Sequence, residues 1–254
     1  MIAPAKINTF LKITGKRDNY HLLASRFVRV ESLFDELWFE EAEESEHFRL
    51  VGDFGCETEK NTIYKAYKAL INAGFLEVED FFKVHCVHVN KNIPEFAGLG
   101  GGSSDAATFL LLCKEILSLH VKLDDLARIG ESVGADVPFF IYGFKSANVT
   151  GIGEIVEEFE EDLPEFEICT PKVHCSTPEI FKEFRQNFWQ NVDDDLANIM
   201  LTQTSLELIK NYEPSKLNDL FLPAISCYEE LKRYMDKGWC MSGSGSSMFR
   251  IKNG

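Results

Sequence analysis

A glycine-rich segment, residues 98–107 (GLGGGSSDAA), most constrains what this chain can fold into. Glycine lacks the Cβ atom that keeps an anion away from the backbone, and the apolar residues that follow predict a helix over 105–119. The free N–H groups and the positive end of that helix would point at one place. Because a strand is predicted at 82–90, the order strand, glycine loop, helix indicates a phosphate-binding loop. The alternative is a flexible loop before a well-capped helix.

The loop lacks the common phosphate-binding fingerprints. The P-loop pattern ends in Gly-Lys-Ser/Thr, and the dinucleotide pattern requires a third glycine where Ser103 stands. A serine-hydrolase Gly-x-Ser-x-Gly pattern is also absent from the loop and from the C-terminal Gly/Ser stretch. The hydroxyls of Ser103 and Ser104 can cap the helix, contact a phosphate oxygen or bind Mg²⁺. The sequence therefore predicts a phosphate loop of a different kind.

The charge and composition of the chain limit the classes of partner that we expect it to bind. The chain has 41 acidic and 26 basic residues and a net charge of −15, so we expect no nucleic-acid partner, because proteins that follow phosphate backbones usually carry the opposite sign. Its seven cysteines contain no C-x-x-C pair, which favours a reducing compartment over a disulfide framework. No apolar run reaches the roughly 20 residues that cross a bilayer, and the first residues lack a secretory pattern. We expect a cytoplasmic protein without a membrane partner.

Local patterns predict a mixed α/β order along the chain. Strands are predicted at 7–16, 25–32, 36–41, 82–90 and 139–142, and helices at 62–73, 105–119 and 123–133. The chain becomes more acidic and helix-like after Gly153, which predicts two domains, 1–153 and 154–254. The last residues, 239–249, are predicted to form a strand, a Gly/Ser turn and a second strand.

Several single residues have both a structural and a functional interpretation. Lys6 lies among small and apolar neighbours, so it is either a strand lysine reaching solvent or a cation held against a ligand. Asp136 follows a helix-ending glycine and can form a turn or face a cleft. Tyr20 and His21 can stack on a planar ligand or lie exposed in a turn. The acidic run 157–162 is predicted to be a solvated surface segment.

Three ordered stretches resemble the motifs of the GHMP kinases: 4–8 (PAKIN), 98–107, and 242–245 (SGSG). Within that superfamily, 15–21 (GKRDNYH) and 134–139 (GADVPF) resemble kinases whose acceptor carries cytidine diphosphate, in the non-mevalonate route to isoprenoid precursors. The resemblance implies an α+β fold with an N-terminal α/β ATP-binding domain, a C-terminal ferredoxin-like domain and a cleft between them. It also implies a small-molecule kinase that uses ATP and Mg²⁺, as a monomer or homodimer.

The same resemblance implies residue roles. Asp136 would be the catalytic base, and Lys6 would pair with it and orient the acceptor hydroxyl. His21 would read the cytosine edge while Tyr20 stacks on the base. The ATP-binding residues implied are Pro94, Gly98, Leu99, Gly100, Gly101, Gly102, Ser103 and Ser104, with Mg²⁺ at Ser104. The acceptor-binding residues implied are Asn8, Tyr20, His21, Thr177, Pro178, Phe181, Gly243 and Gly245.

Three alternatives follow from the same residues. Another GHMP kinase, of the homoserine or mevalonate type, would have no use for Tyr20 and His21 as base readers. A nucleotide-binding regulator without catalysis would have no need to keep both Lys6 and Asp136. An α/β protein whose Gly/Ser loops are only turns would show no saturable ATP binding.

Overall fold

The computed structural model describes residues 1–18 and 20–252, and the side chains of Tyr20 and Asn191 lie outside this description. The chain divides into two compact units, each built from segments that are separate in the sequence. Unit 1 comprises Met1–Ala5, Glu31–Glu95 and Gly100–Phe144, and unit 2 comprises Lys6–Val30, Phe96–Leu99 and Lys145–Gly254. The domain boundary expected after residue 153 stays a prediction.

The elements alternate between strand and helix in the first half and become mostly helical in the second. The strands are β1 (Ile2–Arg17), β2 (Tyr20–Glu41), β3 (Leu50–Val51), β4 (His85–Asn90), β5 (Ser146–Gly151), β6 (Ile155–Glu158), β7 (Phe166–Cys169), β8 (Cys240–Met241) and β9 (Met248–Ile251). The α-helices are α1 (Thr62–Asn72), α2 (Glu77–Lys83), α3 (Gly101–Ile116), α4 (Leu123–Glu131), α5 (Val137–Tyr142), α6 (Thr177–Glu183), α7 (Asp194–Thr202), α8 (Ser205–Asn211), α9 (Pro214–Leu217), α10 (Phe221–Cys227) and α11 (Lys232–Met235). A π-helical turn at Phe184–Phe188 continues α6, and short 3₁₀ turns lie at Thr58–Lys60, Trp189–Asn191 and Glu229–Leu231. Among the described residues, no helix is both long and apolar enough to cross a membrane.

Unit 1 packs helices against one part of a sheet. The second half of β2 pairs antiparallel with β4, from Glu36 opposite Asn90 to Glu41 opposite His85, and β4 pairs parallel with β3. Aromatic side chains fill the space between this sheet and the helices. For example, Phe82 of α2 and Phe109 of α3 stack with ring centroids 5.4 Å apart. Helix α3 is thereby anchored along its buried face.

Helix α1 forms as the sequence predicts. The Asn61 side chain accepts a hydrogen bond from the Ile63 N–H and so caps the helix, and Gly74 beyond its end has a φ of 97°. The buried residues recur at helical spacing and face the core of unit 1. They are Ile63, Ala66, Tyr67 and Leu70.

Unit 2 contains the first half of β2 and all strands from β5 onward. Leu23 to Val28 pair antiparallel with β5, and β5 pairs antiparallel with β6. A separate sheet has the order β7-β9-β8, with both pairings antiparallel. The predicted tail of strand, Gly/Ser turn and strand is confirmed as β8 and β9. The core beside this sheet is apolar and includes Ile13, Phe184, Phe221 and Met248.

The structure corrects several predicted boundaries. Residues 139–142 are not a strand but belong to α5, which begins after Asp136 and ends at Gly143 with a φ of 71°. A short apolar run has no period that separates strand from buried helix, which explains the error. Phe82 belongs to α2 rather than to the following strand. Helix α3 begins at Gly101 rather than at Asp105, so part of the glycine segment is helical.

The acidic run 157–162 is not entirely a solvated surface segment. The Glu161 side chain is fully buried, with Oε1 3.3 Å from Nη1 of the equally buried Arg26. Ser146 and Ser205 also donate hydrogen bonds to this carboxylate, at 2.6 and 2.8 Å. Burial lowers the pKa of Arg26, and the adjacent Glu161 acts in the opposite direction. A charge partner far away in the sequence therefore reverses the prediction for Glu161.

Replacing Arg26 with methionine should lower the free energy of unfolding by about 3 to 5 kcal/mol, because Glu161 would remain as an uncompensated buried charge. Denaturant unfolding followed by circular dichroism measures this change. The exposed pair between Arg128 and Asp125, at 2.8 Å, provides the control. Arg128→Met should leave the unfolding curve unchanged within error. Equal effects of the two substitutions would contradict the conclusion that Arg26 compensates the buried charge of Glu161.

Candidate active site

The glycine segment turns sharply before it becomes a helix. Gly98 and Gly100 have φ values of 74° and 71°, in the left-handed region that side chains rarely adopt. Gly100 occupies the N-cap position of α3, and its carbonyl accepts a hydrogen bond from the Ser104 N–H at 2.9 Å. The N–H groups of the first helical turn lack partners within the helix. This turn is therefore a site where backbone N–H groups can bind an anion.

Neighbouring residues of unit 1 hold this first turn closely. A Cβ added at Gly101 would lie 2.9 Å from Cγ2 of Ile93, and one at Gly102 would lie 3.3 Å from Oγ1 of Thr62. The Thr62 hydroxyl also donates a 2.6 Å hydrogen bond to the Gly102 carbonyl. The glycines thus serve packing within unit 1 as well as access to the backbone.

In unit 2, Gly98 lies directly against the C-terminal Gly/Ser turn. A Cβ at Gly98 would overlap the Ser242 carbonyl, and one at Gly243 would lie 3.3 Å from the Gly98 Cα. The Ser242 hydroxyl donates a 2.8 Å hydrogen bond to the Gly98 carbonyl, and the Ser247 N–H donates to Ala97 at 3.0 Å. Two of the motifs are therefore joined by direct backbone contact.

The motif at residues 4–8 reaches the same place in unit 2. The Lys6 N–H donates to the Leu99 carbonyl at 2.9 Å, and the Asn8 N–H donates to the Ser242 hydroxyl at 3.2 Å. Lys6 and Asn8 are almost completely buried, with 4% and 2% exposure. The structure thus brings Lys6, Asn8, Gly98 and the Gly/Ser turn together.

A chain of hydrogen bonds fixes the Lys6 side chain. Lys6 Nζ donates to Asn8 Oδ1 at 2.7 Å, and Nζ lies 4.4 Å from the centre of the Phe27 ring. Because Nζ can only donate, the Asn8 oxygen must face it. The Asn8 amide nitrogen then donates to Ser25 at 2.9 Å, and the Ser25 hydroxyl donates to the Phe10 carbonyl at 2.5 Å. Ser25 was not predicted, since a strand serine carries no signal of such a role.

A second cluster in unit 2 surrounds His21. Its ring stacks on Phe181 with centroids 4.8 Å apart and planes 27° apart, and Trp189 lies 6.1 Å away. Burial lowers the pKa of His21, with further lowering by Arg185 and Lys16, which favours the neutral imidazole. Among the described side chains, its buried Nε2 has no hydrogen-bond partner. Tyr20 is predicted to stack on the base that His21 reads, and its side chain lies outside the described residues.

The start of α6 lies beside the Gly/Ser turn within unit 2. The Thr177 and Ser244 hydroxyls are 2.6 Å apart, and Pro178 occupies the first turn of the helix. A Cβ at Gly245 would lie 3.1 Å from Met241 Sδ and 3.4 Å from Cys175 Sγ. Thr177, Gly243 and Gly245 are therefore close to one another, although their contact with an acceptor stays a prediction.

The remaining predicted residues lie in unit 1. Asp136 occupies the N-cap position of α5 and is half-buried, and Pro94 is exposed before the glycine segment. Ser103 is half-buried in the first turn of α3. Ser104 is fully buried, and its hydroxyl has no partner among the described residues. The described residues contain no group of three or more His, Cys, Asp and Glu side chains suited to a metal.

Comparisons with known proteins identify relatives of this chain. The model of the GHMP kinases N terminal domain matches residues 61–144. A curated protein of Sulfurimonas denitrificans, named 4-diphosphocytidyl-2-C-methyl-D-erythritol kinase, is 52% identical over 98% of this chain and 96% of its own. A Helicobacter pylori protein of the same name is 37% identical over 98% and 92%.

Solved structures of GHMP kinases superpose on this chain. The crystal structure of a 4-(cytidine 5'-diphospho)-2C-methyl-D-erythritol kinase superposes with a TM-score of 0.78 at 30% identity, covering 100% of this chain and 90% of that one. The Methanococcus jannaschii mevalonate kinase superposes with a TM-score of 0.66 at 13% identity, over 100% and 90% of the two chains, which indicates a shared fold.

Gly98→Ala should lower the free energy of unfolding by about 2 to 5 kcal/mol, because left-handed strain adds to a clash with the Ser242 backbone. Gly238 is a matched control, since its φ of 73° is nearly the same but a Cβ there would meet nothing within 4 Å. Gly238→Ala should cost about 1 to 2 kcal/mol. Denaturant unfolding measures the free energy of unfolding of both variants, and equal losses would contradict the close approach of the Gly98 and Ser242 backbones.

Proposed function

The chain belongs to the 4-diphosphocytidyl-2-C-methyl-D-erythritol kinase family of the GHMP kinases, and from this membership we propose its reaction. It transfers the γ-phosphoryl group of ATP to the 2-hydroxyl of 4-diphosphocytidyl-2-C-methyl-D-erythritol, which gives the 2-phosphate and ADP. This step belongs to the non-mevalonate route to isoprenoid precursors. The observation that carries the proposal is 52% identity to a protein of that name over nearly the full length of both chains.

The α3 N-terminus supports the donor half of the reaction. The ATP phosphates would lie on the backbone from Leu99 to Ser104, where the N–H groups of the first turn that lack partners within the helix, together with the helix dipole, favour negative charge. Phosphoryl transfer requires positioning and charge neutralisation more than covalent chemistry. A protein with a net charge of −15 can therefore bind ATP through local backbone groups without a broad basic surface.

The residues present fit a magnesium ion. The Ser104 hydroxyl is buried without a partner among the described residues, and a hydroxyl oxygen suits this cation. Ser104 would hold Mg²⁺, which when bound neutralises phosphate charge and polarises the transferred group.

Asp136 and Lys6 are proposed to act on the acceptor. Asp136 would accept the proton of the 2-hydroxyl as that oxygen attacks the γ-phosphorus. Lys6 would orient the hydroxyl, and the chain through Asn8 and Ser25 restricts the rotation of its ammonium group. Asn8 would in this way also contribute to acceptor binding.

The His21 cluster supports recognition of the acceptor's cytosine. A neutral imidazole with an available nitrogen can hydrogen-bond a base edge, and Phe181 offers an aromatic face. Tyr20, Thr177, Pro178, Gly243 and Gly245 complete the proposed acceptor-binding set. A cytoplasmic location, a monomeric or homodimeric state and the absence of nucleic-acid partners stay predictions.

The reaction is tested by measuring ADP production from Mg-ATP with 4-diphosphocytidyl-2-C-methyl-D-erythritol, homoserine, mevalonate or no acceptor. We expect strong turnover with the cytidyl acceptor alone. Turnover on homoserine or mevalonate instead would overturn the proposed identity of the acceptor. ATP binding without turnover on any acceptor would indicate a regulatory protein.

Asp136→Asn should reduce kcat by about 10²- to 10⁴-fold, the contribution typical of a general base. Affinity for ATP, measured by calorimetry, should stay within about 3-fold, because phosphate binding depends on the α3 backbone. Near-normal turnover in this variant would reject Asp136 as the base.

Phe181→Ala should raise KM for the cytidyl acceptor about 10- to 100-fold, since base stacking on an aromatic ring contributes about 1 to 3 kcal/mol. KM for ATP should stay within about 2-fold. Phe188 packs against the same core and provides the control. Phe188→Ala should cost stability without this selective rise, and a similar rise in both KM values for Phe181→Ala would contradict the assignment.

A further inference from the structure

A buried charge cluster in unit 1 lies outside the reaction described so far. Lys91 Nζ lies 2.5 Å from Asp35 Oδ2 and 2.7 Å from Asp105 Oδ2. The side chains of Lys91, Asp35 and Asp105 are 11%, 0% and 4% exposed. We call Asp35, Lys91 and Asp105 the clamp.

The clamp joins three separate segments of unit 1. Asp35 lies on β2, Lys91 directly follows β4, and Asp105 lies in the second turn of α3. The second oxygen of Asp35 accepts hydrogen bonds from the N–H groups of Asn92 and Ile93, at 2.5 and 2.8 Å. Strand β2 and the start of α3 are therefore bonded to one ammonium group through Asp35 and Asp105, and the loop after β4 is bonded to Asp35.

The first helical residue of the phosphate loop packs on the clamp. A Cβ at Gly101 would lie 3.6 Å from Lys91 Nζ and 2.9 Å from Cγ2 of Ile93, whose N–H is bonded to Asp35. A change at Lys91 or Asp105 would therefore act first on the turn whose N–H groups face the phosphates. Asp35 accepts hydrogen bonds from Lys91 and from backbone N–H groups. Asp105 accepts from Lys91 through Oδ2, and its buried Oδ1 has no hydrogen-bond partner among the described residues.

Burying these charges is costly, which argues for a role beyond stability. Two carboxylates share one ammonium group, and burial raises the pKa of Asp105 to about 7 even though Lys91 lowers it. Well-packed apolar residues are often at least as stabilising as a buried ion pair. A charged clamp fixes the directions of its bonds as well as its packing, which matters where backbone N–H groups must be placed accurately.

We propose that Lys91 and Asp105 are positioning residues for phosphoryl transfer, because the clamp sets the direction of the first N–H groups of α3 toward the ATP phosphates. This inference rests on the proposed function for its substrate. It assigns neither residue a direct contact with ATP.

The test compares Asp105→Ala with Asp105→Asn in the full-length protein. Asp105→Ala removes the bond to Lys91 and should raise KM for ATP and Kd for ADP about 10-fold or more, since small displacements of positioned groups have effects of this size. KM for the cytidyl acceptor should stay within about 2-fold. Asp105→Asn keeps an oxygen that accepts from Lys91, so both nucleotide constants should return to within about 3-fold of the original protein.

A matched control separates positioning from lost stability. Lys12 and Asp219 form an ion pair in unit 2 that is just as buried, with side chains 4% and 6% exposed. Lys12→Met should lower the unfolding temperature at least as much as Asp105→Ala while KM for ATP stays within about 2-fold. Lys91→Arg, which keeps the charge but changes its geometry, should fold and show an intermediate rise in KM for ATP.

The outcomes distinguish the two proposals. An unchanged KM for ATP in Asp105→Ala, no rescue by Asp105→Asn, or an equal rise in Lys12→Met would overturn the positioning role. If the unsubstituted protein binds ADP but phosphorylates no acceptor, the proposed function fails, and the ADP constants still decide the role of the clamp. If the unsubstituted protein binds no ADP, both proposals fail.

Discussion

The candidate site in unit 2 depends on one close approach of backbone to backbone, between Gly98 and Ser242. There is no space for a Cβ between them, so glycine at 98 is a condition of the contact rather than a source of flexibility. The hydrogen bonds from Ser242 to Gly98 and from Asn8 to Ser242 follow from this approach. They bring the Lys6 segment to the same place and bury its charged side chain. The three motifs are therefore joined by the close approach of the Gly98 and Ser242 backbones, by the hydrogen bond from the Lys6 N–H to the Leu99 carbonyl and by the bonds of the Ser242 hydroxyl.

Charge compensation is the second organising constraint of this acidic protein. Lys12 and Arg26 are buried and Lys91 is largely buried, and each of these cations is bonded to at least one carboxylate. An isolated buried charge would be far more costly than any of these pairs. Local pairing therefore occupies these three cations, and the proposed phosphate contacts rest on the backbone N–H groups of the glycine loop.

Sequence patterns predicted local features well and long-range partners poorly. The Asn61 cap and the glycine loop before a helix follow from residues adjacent in the chain, and both are present. The apolar run that forms α5 was assigned to a strand because so short a run carries no period. The burial of Glu161 depends on a partner 135 positions away. The clamp likewise joins Lys91 to Asp35 across 56 positions, a distance at which a single sequence gives no signal.

The discontinuity of unit 2 affects how the protein can be made. Its N-terminal piece, Lys6–Val30, pairs with Ser146–Gly151 and forms a bridge to Asn218, residues that a ribosome adds much later. At synthesis rates of about 5 to 20 residues per second, Val30 waits roughly 10 to 45 s for the last residues of its own unit. Unit 1 ends at Phe144 and can assemble during that interval. Residues 23–28 of β2 are thus a nascent strand edge without their β5 partner until residues 146–151 have been made, and an exposed edge of this kind is open to pairing with other chains.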